Sequence, residues 1–80
     1  MDVDEIKKKL KIFFKKFIGE VEIDEDENLF KSGLVNSLFA MQLVLYIEKE
    51  FTISIDRDDL DMKNFNSLNN ITSFIKKKLV

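Results

Sequence analysis

Asn36-Ser37-Leu38-Phe39-Ala40-Met41-Gln42-Leu43-Val44-Leu45-Tyr46-Ile47-Glu48-Lys49-Glu50-Phe51 carries two apolar patterns at once. At about 100° per residue, Ala40, Leu43, Val44, Ile47 and Phe51 gather in one arc, the signature of a helix that buries a single face. Leu38, Met41 and Leu45 form a second arc, well over a right angle from the first, and Ser37 points between the two. Asn36 is a strong N-cap type and Gly33 stands in the turn ahead, so the spacing predicts a helix from Ser37 to about Phe51. A small bundle cannot bury both arcs of one helix without wrapping it. Either the preceding loop or a short later helix covers the second arc, or that arc stays open as a surface for partners, a role to which methionine is suited. Phe39 lies on neither arc, and nothing obvious in the sequence covers it.

Working outward, Asp2 can cap a first helix with Glu5 as its capping-box partner, and Val3, Ile6, Leu10, Phe13, Phe14 and Phe17 recur at helical spacing to a stop near Gly19. Lys7-Lys8-Lys9 and Lys15-Lys16 fall largely opposite that stripe, as a solvated face. Residues 20–36 hold no helical period, yet Val21, Ile23, Leu29, Phe30 and Leu34 are spaced to pin a long connection against a core. The acidic run Asp24-Glu25-Asp26-Glu27 lacks the glycine and ligand spacing of a calcium loop and reads as solvated charge. After the second helix, Thr52-Ile53-Ser54-Ile55 suits a short extended link, and Asp56 to Met62 one or two turns of a third helix. Ser67 caps a last helix bearing Leu68, Ile71, Phe74, Ile75 and Leu79, with Lys76-Lys77-Lys78 complementing the dipole at its end. The expected fold is all-α, a small four-helix bundle with three longer helices, one short helix and a long loop between helices one and two. It forms one domain over residues 1–80, with no repeat and no internal boundary.

Composition narrows the function. The 80 residues include no Cys and no His, which removes thiol nucleophiles, imidazole bases and nearly every structural zinc arrangement. Self-contained catalysis is not expected. A net charge of −2 lacks the basic footprint of a nucleic-acid binder. No apolar run approaches a membrane span, and the acidic start does not resemble a secretory signal, so the expected setting is cytoplasmic, without membrane insertion.

Ser37 differs from the other serines by position. The first N–H groups of a helix lack intrahelical partners and the dipole there favours anions, so a phosphodiester on Ser37 meets a favourable field. No His, Lys or paired carboxylate lies close in sequence to act as its base, so another enzyme must activate the hydroxyl.

Phe30-Lys31-Ser32-Gly33-Leu34-Val35-Asn36-Ser37-Leu38, followed by the helix through Glu48-Lys49-Glu50-Phe51, resembles the attachment region of the acyl and peptidyl carrier protein family, where Asp-Ser-Leu opens the second helix. Phe51, Ile53, Ile55, the acidic short helix ending near Leu60, Phe65 and the Leu68 to Ile75 helix follow in the family's order, so the resemblance covers essentially the whole chain. It implies that Ser37 accepts 4′-phosphopantetheine from coenzyme A through a magnesium-dependent phosphopantetheinyl transferase. It also implies a loading enzyme and a downstream acyltransferase, synthase or modifying enzyme as partners of a monomeric, noncatalytic carrier. Two departures stand out. Asn36 replaces the family's usual Asp, keeping the cap but not the charge. Phe39 and Gln42 occupy the surface where fatty-acid carriers present acidic residues, so docking should rely on apolar contact more than on charge steering. The pattern is similar to discrete carriers of specialised pathways: those of polyketide and nonribosomal peptide synthesis, carriers of glyceryl or methoxymalonyl units, and the D-alanyl carrier. The expected partner surface is Asn36, Leu38, Phe39, Met41, Gln42 and Leu45. The rival reading is a helical adaptor that is never modified and binds partners through Leu38, Met41 and Leu45.

Overall fold

The computed structural model describes residues 2–20, 22–33 and 35–79, so the expected anchors Val21 and Leu34 lie outside the described residues. Helix α1 spans Val3–Ile18, α2 Ser37–Phe51, α3 Met62–Phe65 and α4 Leu68–Leu79. The all-α bundle expected from sequence is present, with three longer helices and one short one. The Cα radius of gyration of 11.5 Å matches the roughly 11.6 Å of a compact chain of this length, so the long first connection lies against the bundle.

Each long helix is positioned by its apolar stripe. Ile6, Leu10, Phe13 and Phe14 of α1, Leu43, Ile47 and Phe51 of α2, and Leu68, Ile71, Phe74 and Ile75 of α4 meet in one core with Leu29, Val35 and Phe65. The stripe ends are open: Val3 and Phe17 of α1 and Leu79 of α4 are exposed. Asp2 caps α1 by accepting from the Glu5 N–H at 2.9 Å, and Gly19, with φ 97°, closes it by donating to the Lys15 carbonyl. Ser67 Oγ accepts from the Asn70 N–H at 3.1 Å at the start of α4.

The third helix differs from expectation. Asp56 to Met62 does not form one helix: Arg57–Asp59 is a single 3-10 turn, and the α-helical turn comes later, at Met62–Phe65. Carboxylates account for the break. Asp59 turns back to accept from the Asp56 N–H at 2.9 Å, closing the 3-10 turn, while Asp61 accepts from the Lys63 N–H at 3.1 Å and starts α3 afresh. Asn64 Nδ2 donates to the Asp59 carbonyl at 2.9 Å and ties the two pieces together.

Two charge clusters read as solvated are partly structural: Lys8, Lys15 and Lys16 of α1 and Asp24 and Asp26 of the acidic run are exposed, as expected, while other members tie elements together. Glu25, within the acidic run, accepts from Lys7 Nζ at 2.7 Å and Lys11 Nζ at 3.2 Å, so the polar side of α1 also holds the connecting loop. The Asn69 N–H donates to the Glu25 carbonyl at 3.0 Å and Asn69 Nδ2 donates to Asp26 Oδ1 at 2.6 Å, which fixes the same loop to α4. At the other end of α4, Lys78 reaches Asp59 Oδ2 at 2.6 Å, so it clasps the 3-10 turn as well as complementing the dipole. Neither pairing follows from helical periodicity, because each joins elements far apart in sequence.

The second half of the connection is held by its own backbone. Asn28 Oδ1 accepts from the N–H groups of Phe30 and Lys31 at 3.1 and 3.0 Å, folding the chain at the loop's centre. Leu29, fully buried, donates its N–H to the Asn66 carbonyl at 2.7 Å and accepts from the Val35 N–H at 3.2 Å. Gly33, with φ 81°, makes the turn that returns the chain toward α2, a conformation that side chains rarely adopt.

Two outcomes follow from this packing. Leu29→Ala should destabilise the fold by about 2–5 kcal/mol in denaturant melts, the range for a deleted core leucine, whereas a change under about 0.5 kcal/mol would show that the loop is not part of the core. The second concerns acid. Hydrogen bonds from Lys7, then Lys11, hold the Glu25 carboxyl below its ordinary 4.5, so its contribution is present above that value and lost as pH falls through the lowered one. Glu25→Gln should therefore melt below wild type at neutral pH, with the gap closing as the pH drops below 4.5; a gap independent of pH would contradict the clasp.

Candidate functional site

The site is assembled at the start of α2. Asn36 has extended backbone, and its Oδ1 accepts from the Phe39 N–H at 2.9 Å, while its carbonyl accepts from the Ala40 N–H at 2.9 Å. The cap expected from sequence is thus formed by the neutral amide. Ser37 is the first residue of the helix and is exposed, and no described residue hydrogen-bonds its hydroxyl. No carboxylate sits in the first turn of α2, unlike α1, which opens with Asp4 and Glu5. The helix start beside Ser37 therefore keeps its positive potential for an incoming anion.

The residues ahead of Ser37 act as a mount. Val35 is buried and bonded to Leu29, and Leu29 is bonded to Asn66 at the end of α3, so the strut under the serine reaches across the bundle. Ser37 is thus exposed at the end of a hydrogen-bonded strut.

The second arc of α2 is uncovered: Leu38, Met41 and Leu45 are 70%, 67% and 60% exposed. Neither the loop nor the short helix wraps it. Instead, Leu60 and Met62, beside and within α3, are themselves exposed and continue the apolar surface across a groove of about 390 Å³. Phe30, Ala40, Val44 and Phe65 also line it, with Asp61 as its one charged lining residue. Ala40 and Met41, which line the groove, stand one turn beyond Ser37 on its side of the helix. Sequence reasoning missed Leu60 and Met62, which belong to no long helical stripe. Gln42 is exposed as expected, on the opposite flank of α2.

Phe39 corrects the expectation that nothing covers it. Its ring is half-buried and lies 5.6 Å from Phe13, 5.6 Å from Phe14 and 6.4 Å from Phe17, centroid to centroid. Tyr46, two turns further along the same flank of α2, stacks on Phe13 at 4.4 Å and donates its hydroxyl to the Lys9 carbonyl at 3.1 Å. The signal available in sequence was this i, i+7 aromatic pair, which marks a third, narrow contact line facing α1. Among the described residues, no group of acidic side chains is arranged to hold a metal ion.

The family model for the phosphopantetheine attachment site matches residues 6–75. The D-alanyl carrier protein of Lactococcus lactis subsp. cremoris (strain MG1363) is 30% identical over 59 residues, covering 74% of this chain and 75% of that protein. The D-alanyl carrier protein of Streptococcus uberis is 29% identical over 65 residues, 81% of this chain and 82% of the relative. That of Streptococcus suis is 30% identical over 64 residues, 80% and 81% respectively. The four-helix fold, the open serine at a capped helix start and a family match over most of the length converge on one assignment: the chain belongs to the phosphopantetheine-binding carrier proteins, whose cofactor is covalently bound 4′-phosphopantetheine.

Proposed function

We propose that Ser37 takes the 4′-phosphopantetheine arm and that the chain carries a small aminoacyl or acyl group as a thioester on it. The observation that supports this most is the Ser37 hydroxyl itself, exposed, unbonded by any described residue, and at the head of a helix whose first turn holds no acid. Ser37 Oγ forms the new bond to phosphorus as the pyrophosphate bond of coenzyme A breaks and adenosine 3′,5′-bisphosphate leaves. The hydroxyl proton passes to a base of the phosphopantetheinyl transferase. When bound, the arm supplies the thiol that a chain without cysteine lacks.

The chain's own residues hold and present. The Leu29 strut fixes the attachment point, Asn36 keeps the helix start formed, and the α2 dipole favours the added phosphodiester charge. Leu38, Met41 and Leu45, with Asn36 at the helix start and Gln42 at the edge, form the surface offered in turn to the transferase, a loading enzyme and a downstream acyltransferase, synthase or modifying enzyme. Phe39 supports that surface from behind through its contacts with α1. The chain acts as a covalent cosubstrate, with the catalytic groups supplied by its partners.

The relatives' name, D-alanyl carrier protein, supports an aminoacyl cargo. A place beside polyketide or nonribosomal peptide enzymes is the second reading, favoured by a docking face that is apolar, with Gln42 where acidic residues would steer a fatty-acid partner.

Intact-mass measurement of the unmodified protein incubated with coenzyme A, magnesium and a broad-specificity phosphopantetheinyl transferase tests the proposal. Wild type should gain one phosphopantetheine. Ser37→Ala should gain none, although Ser32, Ser54, Ser67 and Ser73 remain. No gain on wild type with several transferases would favour the unmodified adaptor.

A further inference from the structure

We propose that the seam between α1 and α2, which adjoins the α3 groove at Leu45, docks an acidic amphipathic helix from a partner protein. The two helices run antiparallel: Lys9 lies beside Tyr46 and Glu50, Phe13 stacks on Tyr46, and Phe17 meets Phe39. Between them is a groove of about 520 Å³. Its apolar lining includes Ile12, Phe17 and Leu45, which are 60%, 54% and 60% exposed although they sit together. Ile12 is the informative member, because it interrupts the lysine-rich side of α1, where a solvated face alone asks for no isoleucine.

Charge selects the occupant. Lys7 and Lys11 are paired with Glu25, Lys15 with Glu20, and Lys9 lies 3.9 Å from Glu50, which leaves that groove carboxylate compensated. Lys16 and Lys49, which line the same groove, form no ion pair with any described residue. By the helix register Lys49 lies toward the Lys9 end and Lys16 toward the Gln42 end, seven residues of α1 apart, or roughly 10 Å. Acidic residues two turns apart on one flank of an incoming helix would meet both, while its apolar residues cover Ile12, Phe17 and Leu45. An anionic bilayer fits less well: the surface is concave, and membrane attraction draws on clusters of about four or more free basic residues. Ser37 does not line the groove, although Leu45 and Gln42 belong to the carrier surface as well, so the inference adds a second occupant on the α1 side and does not depend on phosphopantetheine loading.

The test uses the full chain, isotopically labelled, and a capped synthetic helix of about 18 residues with leucine at i, i+3, i+4 and i+7 and glutamate two turns apart on one flank. A second peptide carries lysine in place of glutamate. Amide shifts should centre on Ile12, Lys16, Phe17 and Lys49, which do not line the α3 groove. The double variant Lys16→Glu, Lys49→Glu should weaken the glutamate peptide by roughly tenfold and prefer the lysine peptide. Both proteins are also checked for phosphopantetheine gain by mass, which reads the carrier function separately. If neither protein is loaded but the peptide binds here, the docking inference stands alone. No shift at about 1 mM peptide, shifts centred on Met41, Leu60 and Met62, equal binding of both peptides, or binding only to phosphatidylglycerol vesicles would each overturn it.

Discussion

The backbone of Leu29 is the joint on which the rest of the structure depends. Its N–H donates to the Asn66 carbonyl at the end of α3, its own carbonyl accepts from Val35, and its side chain is fully buried in the core. A loop of this length has no ladder to satisfy its polar backbone, so burying part of it requires partners elsewhere in the fold. One residue here links the loop, the short helix and the approach to α2. The serine two residues after Val35 is therefore presented from a fixed mount.

Around that joint, charge performs what apolar packing cannot. Glu25, Lys7 and Lys11 hold the first half of the loop on α1, Asn69 holds it on α4, and Lys78 closes α4 over the 3-10 turn. Exposed pairs of this kind stabilise little individually. Together they tie the loop to α1 and the 3-10 turn to α4.

Much of this was legible in the residues. Both arcs of α2, its cap at Asn36 and its span were readable because helical period and capping chemistry are local, and the same holds for the stripes of α1 and α4. The two arcs left open whether the second would be covered, and the exposure of Leu38, Met41 and Leu45 decides that it is not. What escaped was nonlocal. Phe39 needed the position of Phe13, Phe14 and Phe17 on another helix; the acidic run needed Lys7, Lys11 and Asn69; Leu60 and Met62 needed the docking of a piece too short to show a period. The split of the third helix was local in principle, since Asp59 and Asp61 are competing cap residues, but composition alone does not say which carboxylate turns back.

These features belong to a phosphopantetheine-binding carrier protein. On the reading proposed above, a chain with neither cysteine nor histidine presents the exposed Ser37 at a helix start whose first turn holds no acid, beside an apolar surface open to partner enzymes. The most direct test of that account is peptide-level mass spectrometry of the protein purified from its own cells under mildly acidic conditions that preserve thioesters. The account predicts phosphopantetheine on the peptide containing Ser37, with a small acyl or aminoacyl mass on the arm. A Ser37 peptide that is wholly unmodified, or an arm found on another serine, would contradict it.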